Sequence, residues 1–161
     1  MARKREPPAV GRLKIISGGQ TGVDRAALDA AIELGIRHGG WCPRGRLAED
    51  GPIPERYQLT ETESPDYPVR TEQNVVDSDA TLILCCGRPA GGTELTWRLA
   101  ERHAKPCLVV DLDLPLDPLA IRRWIAENRV RVLNIAGPRE SQSPGIAARA
   151  KALLREVLAG R

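Results

Sequence analysis

Four short apolar runs, at residues 13–17, 80–86, 107–111 and 130–136, are each followed by a turn and a stretch of helical periodicity. That alternation restricts the chain to an α/β fold, because strands separated by helices pair in parallel through right-handed crossovers. The run Ala80-Thr81-Leu82-Ile83-Leu84-Cys85-Cys86 is nearly continuous in apolar residues. It reads as a central strand covered on both faces. The first strand is followed by a helix with Val23, Ala26, Ala27, Ala30, Ala31 and Leu34 on one face. Thr21 reads as its N-cap, with Asp24 completing an approximate capping box, and Gly35 as its stop. A second helix is expected over 71–78, with Thr71 as its cap, and a third over 93–104. A fourth begins at Asp117-Pro118, with Ile121, Trp124 and Ile125 as its stripe. The last begins at Ser143-Pro144. Residues 36–69 are rich in Gly and Pro and should hold no long element, although Trp41 and Tyr57 argue that they are ordered.

The expected architecture is a Rossmann-like, open and mainly parallel sheet with helices on both faces. It occupies residues 13–161 as one ligand-binding domain. Residues 1–12 are a basic segment expected to be a disordered, solvated arm. The charge balance supports this division. The chain carries 24 Lys and Arg against 21 Asp and Glu; residues 1–12 hold four of the former (Arg3, Lys4, Arg5, Arg12) and one of the latter (Glu6). The remainder is neutral, without the basic face that a duplex-binding domain shows, which argues against nucleic acid as a partner. The four cysteines (42, 85, 86, 107) and two histidines have no metal-ligand spacing, so no protein-ligated metal is expected and the thiols read as free. No run approaches the roughly 18 apolar residues of a membrane span, and no signal peptide is evident. These features point to a cytoplasmic protein with no membrane partner.

Function should lie at the carboxyl ends of the strands, where open α/β sheets bind ligands. Two strand-to-helix turns there are unusual. The first, Ser17-Gly18-Gly19-Gln20-Thr21-Gly22, combines glycines with the free N–H groups of a helix start, which suits an anion. Gln20 and Thr21 can add side-chain hydrogen bonds. The segment is neither a dinucleotide fingerprint nor a P-loop. The second turn, Ala90-Gly91-Gly92-Thr93-Glu94, can form a similar cradle. Glu94 there either favours the positive end of the helix, or meets a hydroxyl or N–H of a ligand, or acts as a general base. Arg70 can clamp a phosphate and Asn74 can face the cleft, or both can be surface residues. Asp24 and Arg25 can form a local ion pair or line the site. Trp41, from the irregular segment together with Pro43 and Arg46, can stack on a heterocycle or pack in the core. Glu49 and Asp50, beside Gly51, read as a polar turn, or as a contact to a metal or a hydroxyl.

The segments Gly18-Gly19-Gln20-Thr21-Gly22-Val23-Asp24-Arg25, Gly40-Trp41-Cys42-Pro43-Arg44-Gly45-Arg46, Arg70-Thr71-Glu72-Gln73-Asn74 and Gly91-Gly92-Thr93-Glu94 resemble, in order, the motifs of the molybdenum carrier family. That family is also described as circularly permuted YpsA-like and is grouped with the SLOG/LOG Rossmann-like proteins. The resemblance runs from about Lys14 to Asp111. It implies a phosphate-bearing pterin or nucleotide as ligand, with molybdenum cofactor (molybdopterin) as the cargo. It also implies assembly into a homo-oligomer, a dimer or tetramer. It leaves a second reading, a LOG-like phosphoribohydrolase or N-glycosidic hydrolase in which Glu94 and Arg70 would be catalytic. This chain lacks the fuller glycine-rich motif of those enzymes. A third reading is a DNA-associated module using the basic arm.

Overall fold

The structure, a computed structural model, describes residues 13–159. The expected basic arm, 1–12, lies outside the described residues. The main sheet has five strands, all parallel, in the order β2-β1-β9-β7-β8. These are β1 (Lys14–Ile16), β2 (Arg37–Gly39), β7 (Ala80–Cys85), β8 (Cys107–Asp111) and β9 (Val132–Ala136). Between β2 and β7 the chain makes two small pairs. One is β3 (Trp41–Cys42) beside β6 (Thr60–Glu61). The other is a hairpin of β4 (Leu47–Ala48) and β5 (Gly51–Pro52).

Every residue of β7 is buried, as its unbroken apolar run requires of a strand flanked by two others. Its side chains divide by parity. Ala80, Leu82 and Leu84 enter the main core with Ile15, Leu133 and Ile135 of the neighbouring strands. That core is covered by α1 (Val23–Glu33), α4 (Pro118–Glu127) and α5 (Ile146–Leu158), through the alanines of α1, Ile121 and Ile125, and Leu153, Leu154 and Val157. The alanine-rich face of α1 lets it approach α5 closely; Glu33 at its end pairs with Arg155 and Lys151 of α5. A smaller cluster of Val75, Leu99 and Ala100 joins α2 (Tyr67–Asp77) to α3 (Gly91–Arg102). A third, of Leu28, Cys42, Ile53 and Tyr57, sits beneath the segment between β2 and α2.

Several boundaries differ from expectation. Helix α2 starts at Tyr67 instead of Thr71, since Asp66 occupies the cap position and Pro68, with its fixed φ, suits the first turn. Arg70 therefore lies within the helix, and the Thr71 hydroxyl donates back to the Tyr67 carbonyl instead of capping. Helix α1 is capped in position by Gly22, because the Thr21 hydroxyl is turned to Glu49. Helix α3 begins two residues before Thr93. Helix α5 begins after Gly145, whose φ of 87° is left-handed. The segment 36–69 supplies an edge strand, β2, whose Arg-His-Gly sequence carries no apolar alternation to announce it. The Asp117 cap forms as read, its Oδ1 accepting from the Ala120 N–H at 3.1 Å.

Candidate functional site

The strand order places three chain turns at one point. From β1 the chain moves outward to β2; from β7 it moves outward the other way to β8; β9 then inserts between β1 and β7. The carboxyl ends of β1, β9 and β7 are thus adjacent, where the order reverses and a crevice is expected. A pocket of about 110 Å³ lies there. Its wall is built from Gly18, Gln20 and Asp24 after β1, Tyr67, Arg70 and Asn74 of α2, Gly92, Thr93 and Thr96 of α3, and Asn134, Arg139 and Gln142 from β9 and the loop beyond it. Pockets that engulf a whole drug-sized ligand run to about 300–1,000 Å³, so this one has room for a single small polar group and no more.

Gln20 is the most informative residue. It is 94% buried, being 6% exposed, and its side-chain oxygen accepts from the Thr21 N–H at 3.0 Å and the Glu49 N–H at 2.9 Å. Those two donors fix the amide's orientation. Its Nε2 end is buried beside the pocket with no hydrogen-bond partner. An unpaired buried donor costs about 1–3 kcal/mol, so this is a donor open to an acceptor from outside the chain. Close by, α3 presents its first turn. No main-chain carbonyl accepts from the N–H groups of Gly91 and Gly92, whereas Thr93 and Glu94 donate to the Ala90 carbonyl. Nothing of the protein would meet a Cβ at Gly92 within 4 Å. The glycine opens the helix start to the solvent side.

Gly18 is glycine for the opposite reason. A Cβ there would lie 2.0 Å from Nη1 of Arg70, which donates to the Gly18 carbonyl at 2.7 Å. The first glycine turn is therefore partly filled by the protein's own guanidinium. Arg70 is buried, 3.7 Å from Asp24 Oδ2, with its Nε on Thr71 and its guanidinium 5.2 Å from the Tyr67 ring centre. Arg139 reaches the same pocket from the loop after β9, its guanidinium 5.7 Å from the Tyr67 ring centre. The titratable side chains of the lining are thus two arginines, one tyrosine, Tyr67, and one carboxylate, Asp24. Burial pushes the Asp24 carboxyl up from 3.8 to about 6, against the pull of Arg70, of the Gln20 N–H and of Arg25.

The other residues singled out in the sequence stand outside the lining. Gly19, with a left-handed φ of 76°, is covered by Leu59 and Ile53, and Gly22 abuts the Pro138 carbonyl. Thr21 donates to Glu49 and accepts from the Glu140 N–H at 3.2 Å. Arg25 donates to the Gly19 carbonyl and pairs with Asp50. The indole N–H of Trp41 donates to Asp77 at 2.6 Å, and the main chain of Trp41 takes up both ends of the Asn74 amide. Arg46 donates to the carbonyls of Ile53, Pro54 and Tyr57 and pins that loop; Pro43 is buried. Glu94, on the exposed side of α3, accepts from Arg98 at 2.8 Å. Tyr67, Asn134, Arg139 and Gln142 went unread. The available signal was the third strand-to-helix turn, Gly137-Pro138-Arg139. Among the described residues no group of three or more His, Cys, Asp or Glu converges as metal ligands do, and no helix is long and apolar enough to cross a membrane.

A parallel α/β sheet with a small pocket at its switch point defines a protein of the Rossmann-like α/β class. The chain belongs to the circularly permutated YpsA SLOG family, whose sequence pattern matches residues 15–158. It is similar to the crystal structure of a "putative molybdenum carrier protein" from Syntrophus aciditrophicus SB. The two share 51% identity over 96% of this chain and 98% of the other, with a TM-score of 0.91. No curated protein matches the chain.

Proposed function

We propose that this chain is a binding protein that carries molybdenum cofactor, or a related nucleotide, with the ligand's phosphate seated in the pocket. The observation that carries this reading is the unpartnered Nε2 of Gln20, held by its own oxygen's two bonds beside a helix start with free N–H groups. Arg139 and Arg70 add charge on the same wall. The remainder of such a ligand would lie outside the enclosed 110 Å³, over the open face at Gly92. The name of the Syntrophus protein agrees with this cargo. A hydrolase reading depends on Glu94, which is paired to Arg98 and stands apart from the lining, so binding without turnover is the better reading. The same proposal includes a cytoplasmic location and assembly of like chains. Exposed Leu114, Leu116 and Leu119, in the connection from the edge strand β8 to the start of α4, supply an apolar surface for the latter.

The test is to purify the protein gently from a host that makes molybdenum cofactor, record its sedimentation mass, then denature it. The supernatant is analysed by mass spectrometry and by pterin fluorescence after oxidation. A near-stoichiometric pterin signal is expected, on a particle of two or four chains. A purine nucleotide in its place, or an empty site, overturns the cofactor assignment; a monomer mass overturns the assembly.

A further inference from the structure

A carboxylate in a pocket whose other charged side chains are both arginines needs a reason. Asp24 is the sole carboxylate among the described residues of the lining. Its side chain is 10% exposed, and its contacts are long: the Gln20 N–H at 3.4 Å and Arg70 Nη1 at 3.7 Å. The neighbouring cations do not neutralise it fully. Arg70 gives its Nη1 to the Gly18 carbonyl, Arg25 turns to Gly19 and Asp50, and Arg139 lies over the Tyr67 ring and makes no ion pair with Asp24 among the described residues. An oxyanion reaching Gln20 Nε2 enters the same small desolvated space. Two anions that close together, away from water, do not both stay ionised; one proton is retained between them.

Resting on the binding proposal above, we propose that Asp24 and the bound oxyanion hold one proton between them, so that the site takes up a proton from solvent with its ligand. The ligand class that fits is a phosphomonoester, whose own second ionisation falls at a pH of about 6, so that either oxygen can carry the shared proton. No bond other than O–H forms or breaks. Burial already holds the free Asp24 carboxyl near the same range, so a nearby anion need move it only a little further to keep it protonated at neutral pH.

The experiment uses the full chain with inorganic phosphate as the probe. The Asp24 carboxyl is followed by carbon NMR through a pH titration, with and without millimolar phosphate, and binding is read from the Gln20 and Gly92 amide shifts. The Asp24 midpoint should rise by about one pH unit or more when phosphate is bound. Affinity, corrected for phosphate's own ionisation, should fall as pH rises above the free midpoint, approaching about tenfold per pH unit. Asp24→Asn should bind phosphate with that slope removed. Amide shifts without any movement of the Asp24 midpoint, or an unchanged slope in Asp24→Asn, would overturn the shared proton and leave the anion site standing. No amide shifts at all would remove the anion site itself, and this inference with it.

Discussion

Glycine at two neighbouring turns does two different jobs. At Gly18 a methyl group would be driven into Arg70, 2.0 Å from Nη1 and 2.7 Å from Cζ. Gly18→Ala should therefore lose about 1–3 kcal/mol by overpacking, and ligand affinity with it, as the guanidinium is displaced. At Gly92 there is open space and no left-handed φ. Gly92→Leu should melt within a few degrees of the parent and yet fail to bind, because its side chain stands at the mouth of the pocket. Thermal melts with parallel binding assays on both variants check this pair. A folded Gly92→Leu that binds normally would place the ligand elsewhere. The glycine turns were readable from sequence because glycine clusters after apolar runs have few other causes. Side-chain direction was not readable. Thr93 and Glu94 are adjacent, but successive helix residues point about 100° apart, so one lines the pocket and the other pairs with Arg98. In the fold Trp41 donates to Asp77 and Arg46 pins a loop through its carbonyls, partners that spacing cannot show.

The β4–β5 hairpin is a brace for the pocket rather than part of its wall. Its tip carries Glu49, which accepts from the Thr21 hydroxyl, the Ser141 hydroxyl and the Ser141 N–H at 3.2 Å, while its own N–H holds the Gln20 oxygen. It ties the turn after β1 to the loop after β9, and it orients Gln20. The Ser141 and then the Thr21 hydroxyl hold the Glu49 carboxyl below its ordinary 4.5. The folded group is thus the stronger acid, so its contribution is present above the unfolded pKa and is lost as pH falls through the lowered folded value. Glu49→Ala should leave the melting temperature nearly unchanged, since the group is exposed. It should speed hydrogen exchange at the Glu140 and Ser141 amides and weaken ligand binding several-fold by freeing Gln20. Unchanged protection in that loop would show the brace to be idle. The sequence offered Glu49 and Asp50 as a polar turn or as a metal or hydroxyl contact and could not name their partners, which for Glu49 lie 28 and 92 positions away. The same limit applies to β2 and to the start of α2: three residues of edge strand and a Pro-containing first turn carry too little periodicity to be read.

The position of β9 explains why the pocket belongs to the fold as a whole. The last strand in the chain lies in the middle of the sheet, pairing Ile15 with Leu133 on one side and Leu82 with Ile135 on the other. Neither half of the sheet is closed until it arrives, and the pocket requires Gln20, Arg70, Gly92 and Arg139, which no shorter stretch contains. Alternation of strands and helices predicted a parallel sheet but not this order, since periodicity carries no information on which strands pair. A ligand held by all four groups binds only the folded chain, so binding energy is added to global stability. At a free ligand concentration of about one hundred times Kd the gain is about 2.7 kcal/mol. For a chain of this size each kilocalorie raises Tm by about 2–4 °C, so the melt should move upward by roughly 5–10 °C as a single sharp transition. Amides of β1, β7 and β9 should gain protection together, because they exchange only through global opening. A ligand that protects the α3 start and the loop after β9 while Tm stays fixed would show that the site forms and opens independently of the sheet, and that β9 does not couple the two.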